Sequence, residues 1–153
     1  MKPTISRICV SLLIVCLCYE FAVTTTATVR PGALPNPVLY LTSQEAFSTG
    51  DKHFVRYRYD VLNRSDYPDA MFATSPALPP CGNNTKAART WVDIYEQNGA
   101  RLNGFCALGK ANDLQSIWFA LEDTKTPPSW IYIELNDRQT NTKYKSNLAE
   151  TTM

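Results

Sequence analysis

The sequence predicts an all-β domain, an antiparallel β-sandwich of six to seven strands with one disulfide. Three observations predict it. Apolar residues recur with period two and almost nowhere with a helical period. Clusters of Pro, Gly, Asn and Asp separate the apolar runs at short intervals. Two cysteines, Cys81 and Cys106, remain once an export leader is set aside.

The leader is expected over residues 1–27. Lys2 and Arg7 precede the apolar run Ile8–Cys18, and small residues follow up to Ala27. That order of charge, apolar run and small residues is the pattern of a secretory signal. Glu20 interrupts the run short of the ~20 residues a spanning helix needs. Its removal takes Lys2, Arg7 and Glu20 from a chain of formal net charge +1, leaving a neutral one. A neutral chain lacks the basic excess of a nucleic-acid binder. No later stretch is long and apolar enough to be read as a membrane span.

Each element has a local reason. Residues 28–36 form an extended, proline-broken lead-in to a domain over residues 37–148, with a tail at 149–153. Residues 37–42 read as a first strand. In 53–63, Val55, Tyr57, Tyr59 and Val61 share one face, while Arg56, Arg58 and Asp60 share the other, as a half-buried strand requires. Residues 64–88 contain Pro68, Pro76, Pro79 and Pro80. Proline cannot donate to a ladder, so this is a crossover loop, with a short edge strand around 70–74. Residues 91–96 and 101–108 pair in a hairpin about Asn98-Gly99, the pair favoured in a type I′ turn. Residues 109–115 hold one helical turn. Strands follow at 116–122 (Ile117, Phe119 and Leu121 inward), at 129–137 (Ile131, Ile133 and Leu135 inward) and at 143–147.

In an oxidising compartment, Cys81 and Cys106 are expected to pair. The bridge would close a loop of about 25 residues and contribute roughly 3.5 kcal/mol. Strand count and order over residues 37–148 resemble the immunoglobulin-like and fibronectin-type-III-like modules, which implies a two-layer sandwich. The immunoglobulin spacing of cysteine, tryptophan and cysteine is not met, because Cys106 follows Trp91 too soon. The bridge here would tie the crossover to the hairpin.

The motifs of catalysis are sparse, and no catalytic residue is assigned. His53 is the only histidine; it begins a strand, and no Gly-x-Ser-x-Gly elbow accompanies it. No cofactor is expected, since phosphate-cradling glycine loops are absent. No metal site is expected either: the cysteines and His53 have no zinc spacing. Asp66 with Asp69, and Asn136, Asp137 and Asn141, are the nearest approach to calcium ligands, and such residues are ordinarily turn formers. Asn63 and Asn83 open glycosylation-type triplets.

Binding is the better expectation. Trp91, Tyr95, Trp118, Trp130 and Tyr132 alternate with the aliphatic rows and would face outward, as binding surfaces on sheets do. Arg56, Arg58, Lys143 and Lys145 would form a basic stripe if their strands were neighbours. The expected function is that of a secreted, non-enzymatic module recognising a glycan or an extracellular protein. One alternative is a carboxylate-based glycan hydrolase using Glu96, Glu122 and Glu134. The other is a matrix protein or an inhibitor presenting the proline loop at 76–86.

Overall fold

The computed structural model describes residues 33–79, 87–107 and 109–153. The expected leader, Asn83 and Cys81 lie outside them. Among the described residues the chain is mostly β, and every strand pair is antiparallel. The strands are β1 (Leu39–Thr49), β2 (Lys52–Val61), β3 (Thr90–Glu96), β4 (Arg101–Ala107), β5 (Ile117–Glu122), β6 (Trp130–Asp137), β7 (Thr142–Lys145) and β8 (Ala149–Glu150). They form a three-stranded sheet, β1-β2-β5, and a five-stranded sheet, β4-β3-β6-β7, in which β8 also pairs with β6.

Alternation sets the core. Tyr57, Tyr59 and Val61 of β2 and Ile117 and Phe119 of β5 are buried. So are Val92 and Ile94 of β3 and Ile131, Ile133 and Leu135 of β6, and the two sets belong to one cluster. Tyr57 stacks on Phe119 with ring centroids 4.9 Å apart. Each such side chain contributes roughly 1.5–3 kcal/mol on leaving water.

Four expectations are corrected. The first strand runs on to Thr49, because a register shift between Leu41 and Ser43 exchanges its faces and hides the period-two pattern. The expected edge strand at 70–74 is instead a 3-10 helix, Asp69–Phe72, that buries Met71 and Phe72; the Thr90 hydroxyl donates to the Met71 carbonyl. The β3–β4 turn is not type I′. Only Gly99 has positive φ (89°) there, Gly99 N–H donates to the Glu96 carbonyl (2.9 Å), and Glu96 N–H donates to the Ala100 carbonyl (2.8 Å). This is a type I turn closed by a glycine bulge, which uses Asn-Gly equally well. Finally, the expected tail holds β8 and the buried Thr151, so the fold extends past residue 148. The helical turn expected at 109–115 is a 3-10 helix, Ala111–Ser116.

The end of the chain ties the sheets together. Leu39 N–H donates to Asn147 Oδ1 (2.7 Å), and Asn147 Nδ2 donates to the Leu39 carbonyl (3.0 Å). Gln44 Nε2 donates to the Thr151 carbonyl (2.7 Å). On the opposite side, Asn103 Nδ2 of β4 donates to the Trp118 carbonyl of β5 (3.2 Å). One ion pair anchors the crossover: Arg89 Nη2 lies 2.6 Å from Asp137 Oδ2, and the Asp137 side chain is only 4% exposed.

Candidate functional site on the five-stranded sheet

The site is built by register. On β3, Val92 and Ile94 point to the core, so Trp91, Asp93 and Tyr95 point away from it. Opposite them on β6 stand Asn136, Glu134 and Tyr132. Lys143 and Lys145 of β7 stand opposite Asn136 and Glu134. Cys106 and Gly104 of β4 stand opposite Trp91 and Asp93. One outer face therefore gathers three of the five predicted aromatics, two carboxylates and three cations, the third being Arg101.

The charges are organised around Asp93. Its Oδ1 accepts from Trp91 Nε1 and from Arg101 Nε, each at 2.6 Å. The Arg101 guanidinium lies across Gly104, 5.8 Å from the centre of the Trp91 ring. A Cβ at position 104 would fall 1.9 Å from Arg101 Nη2, so the missing side chain is what lets the guanidinium lie flat there. Beside this group Lys143 Nζ meets Glu134 Oε2 at 3.3 Å, and this hydrogen bond holds the Lys143 ammonium above its ordinary pKa.

The rings are less open than the sequence implied. Tyr95 and Tyr132 stack with centroids 5.2 Å apart, and Lys145 Nζ sits 3.9 Å from the Tyr132 ring centre. Tyr132 is 8% exposed although it is on the outer face. Burial raises the pKa of the Tyr95 phenol, and the Asp93 and Glu134 charges add to the effect.

The other candidates are dispersed. Trp118 is 41% exposed but lies on β5, where the Arg56 guanidinium sits between its ring (4.9 Å) and that of Phe47 (4.6 Å). Trp130 begins β6 and lines a hollow of mixed polarity with Tyr40, Asn147, Leu148, Glu150 and Met153. The basic stripe does not form. Arg56 and Arg58 belong to the three-stranded sheet, where Arg58 Nε bonds Glu45 at 2.9 Å, whereas Lys143 and Lys145 belong to the other sheet. The three glutamates do not converge either: Glu122 is on β5, paired with Lys52 at 2.9 Å. His53 is exposed near the tip of the β1–β2 hairpin, with Nδ1 2.8 Å from Ser48 Oγ.

Asn63 uses its amide structurally. Its Oδ1 accepts from Val38 N–H (2.8 Å) and its Nδ2 donates to the Asn36 carbonyl (3.1 Å). Among the calcium candidates, Asp69 accepts from Ala111 N–H (2.9 Å) and Asp137 is held by Arg89. Among the described residues no group of three His, Cys, Asp or Glu side chains is placed to hold a metal ion, and no helix is long and apolar enough to cross a membrane.

Sequence reasoning missed the parts that depend on register. Arg101, Asp93 and Gly104 carried no motif, and only the hairpin pairing brings them together. No protein-family model matches this chain, and no curated protein or solved structure matches it.

Proposed function

We propose that this chain is an exported, non-enzymatic binding module that recognises the surface of another protein, or a glycan, through the outer face of the five-stranded sheet. The observation that carries the reading is the convergence of Trp91, Tyr95 and Arg101 with paired carboxylates and lysines on that face. Tryptophan, tyrosine and arginine dominate the energetics of protein interfaces. A protein surface is favoured over a glycan because the rings are covered: Lys145 lies over Tyr132 and Arg101 over Trp91, while sugar stacking needs an open ring face. The glycan reading keeps one support, the carboxylates and the Asn136 amide set beside the rings.

The fold we propose is an immunoglobulin-like β-sandwich. Its support is the strand order: β7-β6-β3-β4 corresponds to the G-F-C-C′ order of such domains, and β1-β2-β5 to A-B-E. The shared apolar cluster supplies an inner layer for both sheets. The Cys81–Cys106 bridge belongs to the same proposal. Cys106 is engaged rather than free and lies beside Trp91 on the outer face, which would place the bridge at the margin of the site.

The test is a binding screen of the exported chain against a glycan array and against extracellular proteins of its source, repeated with Tyr95→Ala, Arg101→Ala and Trp118→Ala. Loss of a hit with the first two and retention with the third is expected. A hit lost only with Trp118→Ala, or binding to nothing in either arm, would remove the reading.

A further inference from the structure

The edge of β1 carries an inference that does not involve the outer face of the five-stranded sheet. Leu62 N–H donates to the Val38 carbonyl (2.8 Å), and Asp123 N–H donates to the His53 carbonyl (3.1 Å). Even-numbered residues of β2 therefore turn their backbone groups to β1, and odd-numbered ones to β5. Opposite Arg58, Arg56 and Phe54 stand Ser43, Glu45 and Phe47. Those three bond to β2, so the N–H and C=O groups of Gln44, Ala46 and Ser48 point to the free edge. No described residue hydrogen-bonds to these backbone groups, and all three residues are exposed.

Other edges of the fold are guarded. β7 is four residues long and carries two lysines. The β4 and β5 edges are joined through Asn103. The start of β1 is covered by Asn147, whose side-chain amide bonds both backbone groups of Leu39 as a neighbouring strand would. Beyond it Gln44 reaches the Thr151 carbonyl through its side chain, but the backbone groups of Gln44, Ala46 and Ser48 have no such device. Leu39–Thr49 contains no Lys, Arg, Pro or Gly, and its single charge is Glu45. Exposed edges of this kind are templates for pairing, and proteins ordinarily block them.

We propose that this edge pairs antiparallel with β1 of a second copy of the chain, about a two-fold axis at Ala46. That register sets Ala46 against its own copy and Gln44 against Ser48, which joins the free edge groups of both strands. It also sets Glu45 against Phe47 of the second copy. The charge pattern favours this occupant. Arg56 lies over Phe47 at 4.6 Å, reaches its own Glu45 only at 3.9 Å, and has a buried Nε without a hydrogen-bond acceptor. Each Glu45, held in its own chain by Arg58 at 2.9 Å, would face Phe47 of the second copy and the Arg56 that lies over it. Pairing about Glu45 instead would oppose two like charges, which disfavours that register.

The experiment is sedimentation velocity on the purified exported chain over a concentration series, with Ala46→Pro and Phe47→Glu. Proline at 46 removes an edge donor and no bond to β2, and glutamate at 47 sets two carboxylates against each other. The wild-type chain is expected to dimerise, and each variant to weaken the dimer by about tenfold or more with an unchanged far-ultraviolet circular dichroism spectrum. If Ala46→Pro loses that spectrum, Phe47→Glu alone decides. A wild-type chain that stays monomeric at its highest soluble concentration overturns the proposal, and so does a dimer that Phe47→Glu leaves intact.

Discussion

Arg101 and Trp91 donate to the same oxygen of Asp93, so one carboxylate fixes both a cation and a ring on the outer face of the five-stranded sheet. The arrangement works because Gly104 leaves the guanidinium room to lie across β4.

Gly104→Ala tests this directly. The new Cβ would meet the flexible end of Arg101 at 1.9 Å and the Asp93 carboxylate at 2.6 Å. Arg101 can swing away at low cost, and alanine suits a strand better than glycine. The expected result is a change in stability within about 1 kcal/mol, with altered Trp91 fluorescence and loss of binding. Unchanged fluorescence and binding would show that Arg101 is not organised by Gly104.

The partly buried Arg89–Asp137 pair predicts how stability depends on pH. Burial pushes the Asp137 carboxyl up, but hydrogen bonds from Arg89, Thr140 and the Gln139 N–H outweigh it and hold the carboxyl below its ordinary value. A carboxyl depressed in the folded state stabilises the fold above its unfolded pKa, near 3.9, and that contribution is lost as pH falls through the folded value. Urea midpoints should therefore fall below about pH 4, and less steeply in Asp137→Asn. Arg89→Ala, which strands a nearly buried carboxylate, should cost about 3 kcal/mol at neutral pH. A loss within 0.5 kcal/mol, the usual range for an ordinary surface substitution, would contradict it.

Asn147 replaces a strand at the start of β1, bonding both backbone groups of Leu39. Asn147→Ala should cost about 1–3 kcal/mol in urea denaturation and raise amide exchange at Leu39. Asn147→Asp keeps the acceptor for Leu39 N–H but sets a carboxylate oxygen against the Leu39 and Leu148 carbonyls, so at neutral pH it should lower stability while changing Leu39 exchange less than alanine does.

The sequence displayed the strands whose faces alternate without interruption. Val92 and Ile94, Ile117 and Phe119, and Ile131, Ile133 and Leu135 all point inward as their spacing implied. It concealed β1 beyond Leu41, because the register shift there moves Phe47 to the outer face and breaks the alternation. It misread Met71 and Phe72 as an edge strand, although tertiary burial holds them in a 3-10 helix. Of the site, Trp91, Tyr95 and Tyr132 were legible as outward aromatics. The cover over Tyr132 was not, because it depends on which strand lies beside β6. For the same reason the four basic residues looked like one stripe while two sheets divide them.

The proposed bridge between Cys81 and Cys106 predicts that mild reduction lowers stability by roughly 3.5 kcal/mol. Peptide mapping of the exported chain under non-reducing conditions should recover the two cysteines in one linked species. Two alkylated thiols would contradict the bridge.

The central claim is that binding uses the outer face of the five-stranded sheet. Hydrogen exchange of the chain with and without a partner recovered in the binding screen tests it most directly. The account predicts new protection within 91–95, 101–106, 132–136 and 143–145. Protection confined to β2 and β5, with those segments unchanged, would contradict it.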